Sequence, residues 1–277
     1  MSNLRNGLLL ILLWVFPHVG VAAENCAVGM GTVCMEAVQQ GNSVSLSAIN
    51  RETYEVTITV KADLKNMTSS VRLPYSRTLE GRFRQAIMTF LANPQGSWEW
   101  KYQFSWMPGS LNAHNDASVI YDLPFRGTRP VMQGFHGAFS HTGDFEYAVD
   151  FQMPIGTPVF AAREGVVEGT RADMNQGGPT RDLQDKANFI LIRHPDGTIG
   201  TYDHLRQGGV AVKVGDQVGR RQLIGYSGNT GFTSGPHLHF MIFKAVDGYK
   251  RESFPMRFRT ANGIISPVQG QSYTSAF

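Results

Sequence analysis

The pattern of apolar and polar positions reads as mostly β. In "YEVTITV", Tyr54, Val56, Ile58 and Val60 fall on one face of a period-two alternation. "SWEWKYQFSW" repeats the pattern with Trp98, Trp100, Tyr102, Phe104 and Trp106 on one face. Such an aromatic stripe is either the inner face of a small sandwich or a surface for sugar or peptide, and the core reading is preferred. One stretch, Leu79 to Asn93, has a spacing that passes for a helix between strand-like flanks. Further along, "TPVFAA", "GVVEG", "NFILIR", "TIGTYDHL" and "LHFMIF" have strand character, separated by hairpin signals such as "HPDGT", where His194 is a hairpin residue. A polar insert from Arg171 to Ala187 predicts an exposed loop.

These elements divide the chain. The first residues combine Arg5, a short apolar run from Leu8 to Phe16 and the small residues "VAA", which predict a signal peptide over 1–23. The run is shorter than the ~20 residues that span a bilayer. An N-terminal β module follows over 24–126, with "LPFRGTRP" (Leu123 to Pro130) read as a joint. A second antiparallel β domain runs over 127–250, and 251–277 is a C-terminal extension. No transmembrane span is expected in the mature chain.

Composition adds little to this picture, and what it adds is mostly exclusion. The 277 residues are 42% hydrophobic, enough for a core, and 17% charged. The net charge of +3, which becomes +2 without Arg5, and the absence of a basic run argue against nucleic acid as a partner. The two cysteines, Cys26 and Cys34, point to a disulfide in an oxidising compartment; free thiols and a two-cysteine metal site are the alternatives.

The chemistry concentrates in "GPHLHF". Two residues apart on a strand, His237 and His239 project side by side, while Leu238, Phe240 and Ile242 face the other way into a core. "TYDHL" is a second histidine strand, with Tyr202 and His204 read as sharing a face. In "YAVDF", Asp150 sits between apolar residues, where a carboxylate is costly unless paired or metal-bound. "GYSGN" departs from the G-x-S-x-G nucleophile turn at Asn229, so a serine hydrolase using Ser227 and His204 is the weaker reading.

From Gln133 to Phe243 the order of "DF..P.GTPV", "Y.HL" and "SGNTG..SGPHLHF" resembles the lysostaphin-type (LytM-like) zinc metallopeptidases. The resemblance implies a secreted or periplasmic bacterial enzyme with one Zn2+ per chain that hydrolyses amide bonds in cell-wall peptidoglycan peptides. It implies that Asp150 and His239 bind the metal and that His237 is the catalytic base, assisted by His204. The family's remaining ligand is a histidine four residues before the aspartate, a position held here by Glu146. His141 is the preferred substitute, with Glu146 and then His136 as alternatives. The same departure keeps open a catalytically degenerate relative that binds the wall and activates other hydrolases. The role of the N-terminal module and the oligomeric state are not implied.

Overall fold

A computed structural model describes residues 23–27 and 32–277. The signal peptide expected over 1–23 lies, apart from its last residue, outside the described residues. Among these residues the chain is almost entirely β, with two short 3-10 helices, Gly143–Phe145 and Arg181–Lys186. No helix among them is long and apolar enough to cross a membrane. The described chain forms two units, one of 112–244 with 251–277, the other of the residues up to 111 with 245–250.

The N-terminal unit has a five-stranded and a three-stranded sheet. Strand Val56–Lys65 pairs along its full length with Glu99–Pro108. Val56, Ile58 and Val60 share one buried core with Trp100, Tyr102, Phe104 and Trp106, so the aromatic stripe is core rather than surface. Leu79 to Asn93 is not helical. Leu79 ends one strand and Phe83–Ala92 forms another, paired with Ser43–Asn50. The helix-like spacing has a local cause: the register shifts where Leu46 faces Met88 and Ser47 faces Ala86, which leaves Ile87 as an extra residue. That bulge buries both Ile87 and Met88, breaking period two. Cys26 and Cys34 face each other across paired strands and form a disulfide.

The second unit is built on a large antiparallel sheet. Its central order is Gly165–Arg171, Asn188–Arg193, Ile199–Val210, His237–Ala245, Val149–Gln152, Thr128–Gln133 and Ser272–Thr274. Residues 251–277 therefore supply an edge strand, and Phe258 joins the core. Leu123 and Phe125, within the segment read as a joint, are also buried in this core. Val149, Phe151, Tyr202, Leu238, Phe240 and Ile242 cover the core face of the sheet. Burying each of the larger side chains contributes ~1.5–3 kcal/mol. The opposite face of the same strands is then free to carry polar chemistry. The Arg171–Ala187 insert is largely exposed, as expected, but contains a two-residue strand, Gly177–Gly178, that pairs in parallel with Gly231–Phe232.

Candidate metal centre

Strand register assembles the site. Asp150 faces His239 directly across one ladder, and His239 faces Asp203 across the next. Because Val149 and Phe151 point into the core, period two turns Asp150 to the face that carries His237 and His239.

His204 reaches that face by a different route from the one its spacing predicts. Phe189 pairs with Asp203 and Asn188 with Leu205, so His204 is the additional residue of a bulge, with φ of 66°. Tyr202 is fully buried against Phe240, and its hydroxyl accepts a hydrogen bond from the Ala162 N–H. His204 instead lies with its ring centroid 4.5 Å from that of His237. Tyr202 and His204 therefore do not share a face; the bulge reverses the alternation.

His141, Asp150 and His239 are all buried and offer ligand atoms within 4.8 Å of one another. His141 Nε2 lies 3.2 Å from Asp150 Oδ2, and His239 Nδ1 lies 2.9 Å from Asp150 Oδ1. His237 Nε2 is 3.6 Å from Asp150 Oδ1. Glu146 caps the short helix Gly143–Phe145 and lies outside the cluster, and His136 is exposed with its ring against Tyr147. Thus His141, nine positions before Asp150, takes the place that Glu146 leaves vacant. The other acidic and thiol group, Glu24 with Cys26 and Cys34, has both sulfurs consumed in the disulfide.

Three of the imidazoles are oriented in the same way. Nδ1 of His141 bonds the Gly134 carbonyl at 2.8 Å, that of His204 the Thr230 carbonyl at 2.7 Å, and that of His237 the Gly235 carbonyl at 2.7 Å. A carbonyl only accepts, so each Nδ1 carries the proton and each Nε2 keeps its lone pair. Sequence reading does not find these carbonyls, because backbone atoms leave no residue-type signal.

The donor set fits zinc. Two nitrogens and a carboxylate oxygen leave an open fourth position, the pattern of catalytic zinc. His141 Nε2 is buried and makes no hydrogen bond, an arrangement that is costly unless a further partner meets it. The electrostatics also favour ligand-ready forms. Burial alone would raise Asp150, but the imidazoles of His237, His141 and His239 around it hold its carboxyl well below the usual range. Burial pushes His239 down, against the raising effect of Asp150. Desolvation, reinforced by His237 and His239, pushes His204 well below its ordinary value. A groove of about 220 Å3 opens over this cluster, lined by Asp150, His204, His237 and His239 together with Gln133 and Phe232.

Ser227 is fully buried. Its hydroxyl donates to the Pro154 carbonyl at 2.7 Å and accepts from the Thr157 N–H at 3.1 Å, so it holds a turn and is not free as a nucleophile.

A buried His–Asp–His set on an antiparallel sheet, with two more imidazoles beside it, is a donor arrangement that fits a catalytic zinc. Residues 144–251 match Peptidase family M23. His141 lies just before the matched segment, and Glu146 lies within it. Over 93 residues the chain is 43% identical to the peptidoglycan DD-endopeptidase ShyA of Vibrio cholerae, covering 34% of this chain and 19% of that protein. Over 134 residues it is 43% identical to lysostaphin of Staphylococcus simulans, covering 46% of this chain and 25% of that protein. The chain thus spans about a quarter or less of the length of these curated relatives. The solved catalytic domain of lysostaphin aligns with a TM-score of 0.30 at 32% identity, over 46% of this chain and 84% of that one.

Proposed function

We propose that the protein is a zinc-dependent endopeptidase that hydrolyses an amide bond in peptidoglycan peptides. The observation that carries this reading is the convergence of His141, Asp150 and His239, with a groove open over Asp150, His237 and His239. When bound, zinc supplies Lewis acidity, which activates water near neutral pH and polarises a carbonyl. His141, Asp150 and His239 would hold it.

In this reading His237 is the general base. Its Nδ1 is committed to Gly235 and Thr233, and its free Nε2 points at the ligand cluster. That nitrogen takes the proton from the attacking water and returns it to the leaving amine. His204, held neutral by desolvation, places a second imidazole against His237. Its unprotonated Nε2 assists His237 as that imidazole takes up the proton.

The wall substrate is supported by the relatives whose printed activities are peptidoglycan DD-endopeptidase and glycyl-glycine endopeptidase. A periplasmic or secreted location is supported by the charged and apolar leader pattern at the N-terminus. The peptidase domain, read as 127–250, extends to the edge strand from 251–277 and to the buried residues Leu123 and Phe125, and an N-terminal β module precedes it in sequence. Metal analysis of purified protein, paired with digestion of cell-wall peptides before and after chelation, tests the function. One zinc per chain and chelator-sensitive cleavage are expected. Zinc-free protein that cuts no wall peptide contradicts the reading.

A further inference from the structure

We propose that Gln133 is a substrate-binding residue whose side-chain amide pairs with a peptide group of the chain to be cut. The inference rests on the endopeptidase reading and adds a residue to it. Gln133 ends the strand Thr128–Gln133 and faces Asp150 across the ladder to the metal strand. It is 8% exposed, and that remaining surface lines the groove beside Asp150, His204, His237 and His239.

The side chain is held rather than loose. Nε2 donates to Ser140 Oγ at 2.7 Å, and Ser140 is the residue before His141. The loop from Gly134 to His141 wraps around it. A Cβ on Gly137 would come within 2.2 Å of Gln133 Cγ, so glycine there makes room for the glutamine. The Gly137 carbonyl in turn accepts from the His141 N–H at 2.9 Å.

This arrangement leaves one amide group incompletely used. Among the described residues no hydrogen bond reaches Gln133 Oε1, and only one Nε2 hydrogen is taken. That group opens on the groove, where water can meet it and a ligand can take the water's place. A peptide bond offers the matching acceptor and donor. The groove lining contains no lysine or arginine, so it has no cation to pair with a substrate carboxylate. Recognition there falls to uncharged hydrogen bonds, and Gln133 is the one already fixed next to the metal ligands.

The test uses the full chain loaded with zinc. Wild type, Gln133→Met and Ser140→Ala are compared on the cross-linked cell-wall peptide that wild type cleaves fastest from a panel. Methionine keeps the volume and removes the hydrogen bonds, and Ser140→Ala removes only the anchor. Zinc content is measured for all three. Expected are one zinc per chain throughout, KM raised about tenfold in Gln133→Met and less in Ser140→Ala, and a smaller change in kcat. Unchanged KM in Gln133→Met overturns the inference. So does loss of zinc in that variant, since it would show that Gln133 serves His141 rather than substrate. Wild type that holds zinc yet cleaves nothing in the panel overturns the function reading, and the inference with it.

Discussion

At the scale of single residues, identical side chains acquire different work from their second contacts. His237 and His239 stand two positions apart on one strand, yet His239 turns Nδ1 to Asp150, while His237 gives Nδ1 to Gly235 and turns Nε2 inward. Removing a ligand and removing the base should therefore separate cleanly. His141→Ala should weaken zinc binding by well over 100-fold, beyond the 10–100-fold typical for the loss of a partner that only orients a ligand. Glu146→Ala and His136→Ala should hold zinc as wild type does, because neither residue belongs to the cluster. Equal zinc in His141→Ala and wild type by elemental analysis would refute the assignment. His237→Ala should retain its zinc and lose 10²–10⁴ in kcat, the usual worth of a positioned acid–base group. Zinc lost along with activity in that variant would place His237 among the ligands instead. Asp150, His237 and His239 were legible in the sequence because strand alternation and motif agree on them. His141 was not legible from spacing, since the eight residues between it and Asp150 have no fixed geometry until Gly134 and Gly137 fold the loop back. Gln133 carried no signal at all, as a glutamine at a strand end is ordinary.

At the scale of elements, regular alternation was readable and its interruptions were not. The strands around Trp100 and Phe240 kept period two and their cores followed. The strands through Ile87 and His204 each carry an extra residue, so their local spacing mimics a helix in one and points to the wrong face in the other. A bulge depends on what the partner strand does, which a local pattern does not record. The polar insert had a similar fate. Its composition marks a loop, but Gly177–Gly178 pairs with Gly231–Phe232 and so braces the segment that leads to His237. A Cβ on Gly177 would lie 1.6 Å from the Asn229 carbonyl oxygen, a contact that only backbone displacement relieves. Gly177→Ala should therefore destabilise the protein by ~1–3 kcal/mol, the usual cost of overpacking. It should also lower kcat/KM by shifting the loop next to His237. Thermal unfolding and steady-state rates measure the two effects, and a variant with wild-type values for both would show that this short parallel pair does not constrain the site.

At the scale of the whole molecule, global stability carries a pH signature from a histidine outside the catalytic set. His194 is fully buried at the Ile199 hairpin, with Nδ1 bonded to the Glu164 carbonyl at 2.8 Å and Nε2 without a hydrogen bond. Burial pushes its imidazole down to about 4, against the raising effect of the Glu164 carbonyl. In the unfolded chain the same group titrates near its ordinary value of ~6.5. Between those two values the unfolded state binds a proton that the folded state refuses, so acid favours unfolding. The stabilisation is fully present above pH ~6.5 and is lost as pH falls toward 4, amounting to about 3 kcal/mol across that window. Replacing His194 with glutamine removes the titrating group while keeping a side-chain donor for Glu164. The variant should be less stable than wild type at pH 7, because its fit in the hairpin is poorer, but its unfolding free energy should fall less steeply between pH 6.5 and 4.5. Both proteins should be compared without metal, so that acid release of zinc does not enter the difference. The site histidines titrate in both and cancel in the comparison, since they contribute equally when distant sites are additive. Parallel stability curves for the two proteins would mean that His194 is protonated in the fold and that its unpaired Nε2 finds a partner on charging.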